Sequence, residues 1–246
     1  MLKNKDKYKR RFYRQWIRER DLFLKRIVLK ETDIQVLSDK PADKKFLKEK
    51  VLIYRRQIED YISKDRRFLT ALKPLALSLD APLIVKDMAK ASKLANVGPM
   101  ASVAGAIAQY LGEELLKKGF HEVIIENGGD IFLKINKVRY VSIYAGKSKL
   151  SNKLFLKIKP QDSPLGICTS SATVSHSLSF GNADAVTILA DDAILADATA
   201  TAACNLVKCE KDFKIAIDFA RRIKKVFGIV IILKDKLASW GDLEFA

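Results

Sequence analysis

No lysine or arginine occurs between Lys159 and Lys208, in a chain of 246 residues whose formal net charge is +16. Inside that gap AVTILA (185–190) reads as a buried strand. It leads into ILADATATAACN (194–205), an alanine-rich helix in which a single acid, Asp197, lies four residues before Thr201. Positions i and i+4 share one helix face about 6 Å apart, so a carboxylate and a hydroxyl oxygen can meet at one point. Two hard oxygen donors with room for phosphate oxygens suit Mg²⁺. A nearby lysine would compete for the carboxylate and repel the ion. The same spacing also fits an acid in the first turns of a helix, favoured by the dipole, with Thr201 packed as a small core residue.

Composition bounds the rest. With 48% apolar and 30% charged residues the chain has the balance of a soluble globular protein, long enough for one large domain or two small ones. No apolar run is long enough to cross a bilayer, and the N-terminus has no apolar signal core. Three cysteines without a CxxC pair suit a reducing cytoplasm, and argue against a disulfide framework or a structural zinc site.

The charge is uneven: residues 1 to 73 hold 23 of the 45 Lys and Arg but only 11 of the 29 Asp and Glu. Its basic arm, KNKDKYKRRFYRQWIRER, offers Tyr8, Phe12, Tyr13 and Trp16 as stacking groups for RNA. A solvated extension, or an arm packed on a second subunit, explains it equally. No recognised nucleic-acid motif accompanies the charge, so nucleic acid is not the expected partner.

Along the chain, LFLKRIVLKETDIQVLSD reads as two strands around an ETD turn. Helical spacing of apolar residues from Ala42 to Leu72 predicts one or two amphipathic helices. A further helix over 83–95 stops near Asn96-Val97-Gly98-Pro99. MASVAGAIAQYLGEELLKKG is a helix whose small residues, Ala101, Ala104, Gly105 and Ala108, permit close approach by another element. HEVIIEN, DIFLKIN, RYVSIYAG and KLFLKIKP follow as strands, the first two joined through Gly128-Gly129. GICTSSATVSHSLSFG is a small, hydroxyl-rich segment with exposed hydroxyls at a strand end. FKIAIDFARRIKKVFG is a final amphipathic helix before the strand IVIILKD. Helices and strands mix without strict βαβ alternation, so the expected class is α+β, with a basic extension over 1–20 and one domain over 21–246.

Three further segments bear on the Asp197–Thr201 pair. ENGGDIFL (126–133) is a glycine hairpin flanked by two acids, where backbone N–H groups can approach a ligand closely; Asp130 is preferred over Glu126 as the functional acid. GPMASVAG (98–105) sets a tight turn against a helix start, a common anion-binding arrangement. GICTSS (166–171) ends a strand in hydroxyls.

Together these segments resemble the ApbE-like superfamily, whose best-known members are FAD:protein FMN transferases. The closer resemblance is to a branch of unassigned activity found in many archaea and some bacteria. It runs from KETDIQVL through VGPMASVAGAIA, ENGGDIFL, IYAGKS, GICTSSATVSHSLSFGNADAV and LADATATA to SWGDLEF. The resemblance implies that Asp197, Thr201 and the backbone carbonyl of Ala101 hold Mg²⁺. It implies an FAD-type nucleotide against Gly98, Met100, Asn127, Gly128, Gly129, Asp130, Thr169, Ser170 and Ser171. His176, whose imidazole titrates near pH 6.5 when unperturbed, is a candidate general base, and Asp184 is either a proton relay or second acid at the metal, or a turn residue.

The chain departs from the transferase pattern at Ser102, which stands where they carry a lysine, and at SFGNADAV, which replaces their histidine segment. Within its own branch Ala172 and Ser175 stand where glycines are expected. Metal and nucleotide binding therefore carry over better than flavin transfer. The branch's association with homocysteine formation adds a sulfur-handling alternative, in which an activated Cys168 thiolate works with partner proteins. A homo-oligomer is compatible with either reading.

Overall fold

The computed structural model describes residues 21–173 and 180–246. The basic extension over 1–20, Ser175 and His176 lie outside the described residues. The chain opens as a hairpin of β1 (Phe23–Leu29) and β2 (Thr32–Ser38), turning at Lys30-Glu31 with Lys30 at φ 52°. Asp43 caps α1 (Lys44–Lys64) by accepting from the N–H groups of Lys45 and Phe46. The expected spacing holds: α1 buries Leu47, Val51, Tyr54, Ile58 and Tyr61 along one face. A short α2 (Arg67–Thr70) follows, then α3 (Leu83–Ala95), which ends at Asn96 in the left-handed region. A 3₁₀ turn over Pro99–Ser102 feeds α4 (Val103–Lys117).

The remaining elements are β3 (Val123–Asn127), β4 (Asp130–Lys134), β5 (Arg139–Ser142), β6 (Phe155–Ile158), β7 (Leu165–Ser170), β8 (Ala185–Ala190) and α5 (Ala193–Leu206). The chain closes with α6 (Phe213–Arg222), β9 (Val226–Leu233), β10 (Lys236–Gly241) and β11 (Glu244–Phe245). Among the described residues eight strands form one antiparallel sheet in the order β1-β2-β3-β4-β7-β8-β9-β10, and three form a second in the order β11-β6-β5.

Strand parity sorts the core into two layers. In β3, Val123 and Ile125 face the helices while Ile124 faces the smaller sheet; in β9, Ile229 and Ile231 face the helices, and Val230 and Ile232 the smaller sheet. Both faces of the central strands are covered, which is why they read as unbroken apolar runs rather than alternating ones. The smaller sheet is tied to the larger by Arg139, whose guanidinium is buried against Glu122 and also reaches Asp21. The class is α+β, helices on one face of the large sheet and a small sheet on the other.

GICTSS ends a strand as expected, β7, and two other expectations are adjusted. The last helix stops at Arg222, because Val226 already pairs with Ala190 in the sheet. The C-terminal residues add β10 and β11, and β11 pairs with β6 across the smaller sheet.

The cation-free segment finds its main explanation here. Helix α5 packs against α3, α4, α6, β7 and β8, and residues 193–204 are buried on every side except at Thr201. A lysine at any of these buried positions would have to be desolvated. Asp192 caps the helix by accepting from Leu195 N–H at 2.7 Å, and the amide side chain of Gln109 accepts from Ala193 N–H at 2.9 Å. The small residues of α4 serve the close approach expected of them: a Cβ on Gly105 would lie 2.2 Å from Ala193 O.

Candidate functional site

A cleft of about 1560 Å³ opens where the 3₁₀ turn, the start of α4, the β3–β4 hairpin, the end of β7 and the middle of α5 converge. It is larger than most single-ligand pockets. Gly98, Met100, Ala101, Asn127, Gly128, Gly129, Asp130, Thr169, Ser170, Ser171, Asp197 and Thr201 all line it. Twelve residues singled out from four distant segments thus share one cavity.

Asp197 and Thr201 project from successive turns of α5 toward the start of α4. The Asp197 carboxylate is buried, and its Oδ2 accepts from Gly105 N–H at 2.9 Å. Thr201 Oγ1 lies 3.5 Å from Ala101 O, the carbonyl expected as the third metal donor. Burial pushes the Asp197 carboxyl well above the usual carboxylate range, against the pull of the Gly105 and Ala104 N–H groups. No lysine or arginine pairs with it among the described residues. Ser102, in place of the transferases' lysine, turns inward and donates to Pro99 O at 2.9 Å. A buried carboxylate, a hydroxyl and a carbonyl, all hard oxygens with no resident cation, fit a divalent ion that keeps waters or phosphate oxygens in its other positions. The same carboxylate also caps α4, since Ala104 and Gly105 lie in that helix's first turn. The dipole that Asp197 meets is thus that of α4, not of its own helix, whose first turn holds no acid, and Thr201 is only partly buried.

Facing α5 across the cleft is the glycine hairpin. Asn127 pairs with Asp130 in register, and Gly128 and Gly129 take φ 77° and 105°, the double positive turn that suits a two-residue hairpin. Asn127 Nδ2 donates to Ala104 O at 3.1 Å, fixing the hairpin to α4. One expectation is narrowed: Gly129 N–H is already engaged within the hairpin, because Glu126 Oε1 accepts it at 2.9 Å. Glu126 shapes the turn and Asp130 lines the cavity beside it.

The end of β7 brings Thr169, Ser170 and Ser171 to the wall. Ser170 and Ser171 are buried rather than exposed, being covered by the cleft's own walls. Thr169 Oγ1 lies 2.8 Å from Thr187 Oγ1. Thr187 also lines the cleft, as do Ser142, Tyr144 and Asn152. Sequence reasoning missed these four. The available signal was Thr187 itself, one hydroxyl inside the otherwise apolar AVTILA strand.

Three catalytic candidates fare differently. His176 lies outside the described residues. Asp184 lies off the cleft and holds another segment's backbone rather than its own turn: its Oδ2 accepts from Lys234 N–H at 2.6 Å and its Oδ1 from Thr173 Oγ1 at 3.2 Å. Cys168 as an activated thiolate is corrected. Its Sγ is fully buried, 3.3 Å from Ala193 O, and burial, with the charges of Asp130 and Asp197 added, pushes the thiol well above its ordinary range. Of the three cysteines Cys209 is exposed, while Cys168 and Cys204 are buried. Native protein treated with iodoacetamide is therefore expected to lose one thiol rapidly, at Cys209, with Cys168 modified only on unfolding. Peptide mapping showing early Cys168 labelling would reverse this assignment.

The family model described as AbpE bacteria matches residues 14–226. A UPF0280 protein of Methanocaldococcus jannaschii is 44% identical over 226 residues, covering 90% of this chain and 91% of that one. A UPF0280 protein of Methanosarcina acetivorans is 38% identical over 216 residues, covering 87% and 85%. Among solved structures, the flavin transferase ApbE from Vibrio cholerae superposes with a TM-score of 0.59 at 14% identity, covering 89% of this chain and 96% of that one. The ApbE protein of Thermotoga maritima gives a TM-score of 0.60 at 11% identity, with 88% and 96% covered. At such identities the structures establish the shared fold. No helix among the described residues is long and apolar enough to cross a membrane. The motifs, the architecture and these relatives agree: the chain belongs to the ApbE-like superfamily, within the branch that holds the UPF0280 proteins.

Proposed function

We propose that the cleft binds a flavin or adenine nucleotide together with Mg²⁺, in the manner of an FMN-transferase-like protein. The observation that carries this is a buried Asp197 carboxylate with no basic partner among the described residues, one helical turn before Thr201, whose Oγ1 lies 3.5 Å from Ala101 O, all three on the wall of a cavity large enough for a dinucleotide. The fold likeness to proteins named flavin transferases supports the choice of nucleotide. Bound Mg²⁺ supplies electrostatic stabilisation at phosphoryl oxygens. The chain's own contribution is positioning: the Gly105 and Ala104 amides orient Asp197, and Asn127 locks the hairpin so that the opposite wall is rigid. The sulfur-handling alternative loses its working group with Cys168 buried beside two carboxylates.

Thermal unfolding with FAD, FMN or ADP, each with Mg²⁺ or EDTA, tests the proposal. At a ligand concentration of about 100 Kd, binding stabilises by roughly 2.7 kcal/mol. For a domain of this size that is a rise in Tm of roughly 5 to 10 °C, present with Mg²⁺ and absent with EDTA. Thr201→Val is expected to need about fivefold more Mg²⁺ for the same rise, as one neutral oxygen donor is worth on the order of 1 kcal/mol. No Mg²⁺-dependent shift with any of the three at millimolar concentration would defeat it.

A further inference from the structure

The large sheet ends on one side at β1, which has no strand beyond it among the described residues. Edge strands are normally shielded by proline, a bulge or charge. β1 has no proline, and its register with β2 runs unbroken from Phe23↔Ser38 to Leu29↔Thr32. Of its two cations, Arg26 is gripped by both oxygens of Asp33 at 2.9 and 2.8 Å, and Lys25 has no ion-pair partner among the described residues. Ile27 packs among the helices, so alternation turns Leu24 and Val28 to the opposite face. Phe23, Leu24 and Val28 are 51, 58 and 50% exposed, whereas β10 at the other edge exposes one large apolar side chain, Leu237.

Charge and direction decide what covers this edge. The cleft of a chain with net charge +16 is lined by five carboxylates against three cations, and Glu31, on its rim, has a side chain 82% exposed. Residues 1–20 carry nine Lys and Arg against two acids. A chain's own residues 1–20 join it at the wrong end for that rim. Asp21 is tied to Lys137 and Arg139 at the end of the sheet away from the glycine hairpin, while Lys30 and Glu31 border the cleft at the other end of β1, roughly 20 Å away. An antiparallel neighbour reverses this, since its strand begins where β1 ends.

We infer that β1 pairs with β1 of a second copy about a two-fold axis through Ile27, joining two eight-stranded sheets into one and bringing each copy's N-terminal residues to the other's cleft. Such an interface is self-complementary, as a two-fold requires. In this register Arg26 lies opposite the partner's Val28 and Lys25 opposite the partner's Leu29, so no cation faces a cation. An axis through Arg26 would oppose two arginines, and one through Val28 would set Arg26 against the partner's Lys30; like charges directly opposite are destabilising. The register through Ile27 also sets the partner's Phe23 beside Glu31, so the basic residues preceding it arrive at the acidic rim.

Size-exclusion chromatography with light scattering is expected to read two copies of the 27.7 kDa chain. Leu24→Lys combined with Val28→Lys sets cations opposite the partner's Lys30 and Arg26. Both side chains are exposed, so circular dichroism and Tm should hold while the dimer Kd rises about a hundredfold. Cross-linking reads the register without disturbing the strand's charge pattern. In a Cys209→Ser background, which removes the exposed thiol, a short bismaleimide should join the two chains when Phe23→Cys and Glu31→Cys are combined, and should join none in either single variant. Within one chain these positions lie roughly 25 Å apart, beyond the linker. A wild type that stays monomeric up to millimolar concentration, the result expected if residues 1–20 cover their own edge, overturns the inference. So does a dimer that survives both lysines, or one that the combined cysteines fail to cross-link.

Discussion

Asp197→Asn is expected to leave the protein folded with a Tm at or slightly above that of the wild type, yet to abolish Mg²⁺-dependent stabilisation by nucleotide. The two effects separate because Asp197 has two jobs. As a cap for α4 it needs only an oxygen that accepts from Gly105 N–H, which the asparagine amide provides at the same reach. As a metal donor it needs charge, which the amide lacks. Burial already disfavours that charge in the absence of a cation, so removing it relieves the apo protein instead of harming it. Asp197→Ala should fail on both counts: no nucleotide effect, and a loss of about 1 kcal/mol or more from the uncapped helix. Chemical denaturation of the two variants with and without Mg²⁺ reads both quantities. An asparagine variant that keeps the full Mg²⁺ response would show that the carboxylate is a cap and nothing more.

Gly105→Ala is expected to destabilise the protein strongly although it adds a single methyl. The new methyl would stand 2.2 Å from Ala193 O and 2.8 Å from Asp197 Cβ, both inside atomic contact, and neither neighbour is the free end of a flexible chain. Helices α4 and α5 must separate. Overpacking of this kind costs about 3 kcal/mol, hence a fall in Tm of roughly 10 °C. The displacement also carries Asp197 and Thr201 together away from Ala101, so nucleotide affinity should fall even where the protein remains folded. By contrast Ala108→Gly, on the same helix, should cost only about 1 kcal/mol of helix propensity and leave binding intact. A Gly105→Ala protein as stable as the wild type would mean that the two helices do not meet as closely as the structure has them.

What the sequence disclosed and what it withheld divide along the range of the interactions involved. Local chemistry was legible. Asn96-Val97-Gly98-Pro99 marks the end of α3, and Gly128-Gly129 marks a hairpin. The four-residue spacing of Asp197 and Thr201 places them on one face of α5. Parity was harder. Cys168 and Thr169 are neighbours, and one sits among the helices while the other lines the cleft; only the register Asp130↔Cys168 decides which is which. Long-range closure was hidden altogether. The pairing of Glu244 with Lys157 brings the C-terminal strand onto the small sheet, which no segment read alone discloses. The glycine hairpin misled in one respect: Glu126 takes the Gly129 amide, a use that spacing leaves open.

The hairpin tip has a geometric consequence for whatever the cavity holds. Asn127 ties its base to α4 and Glu126 ties its tip, so the wall it forms cannot swing to follow an occupant. Whatever enters has to match a gap whose width is already set, and it is the molecule's size, not the protein's give, that decides admission.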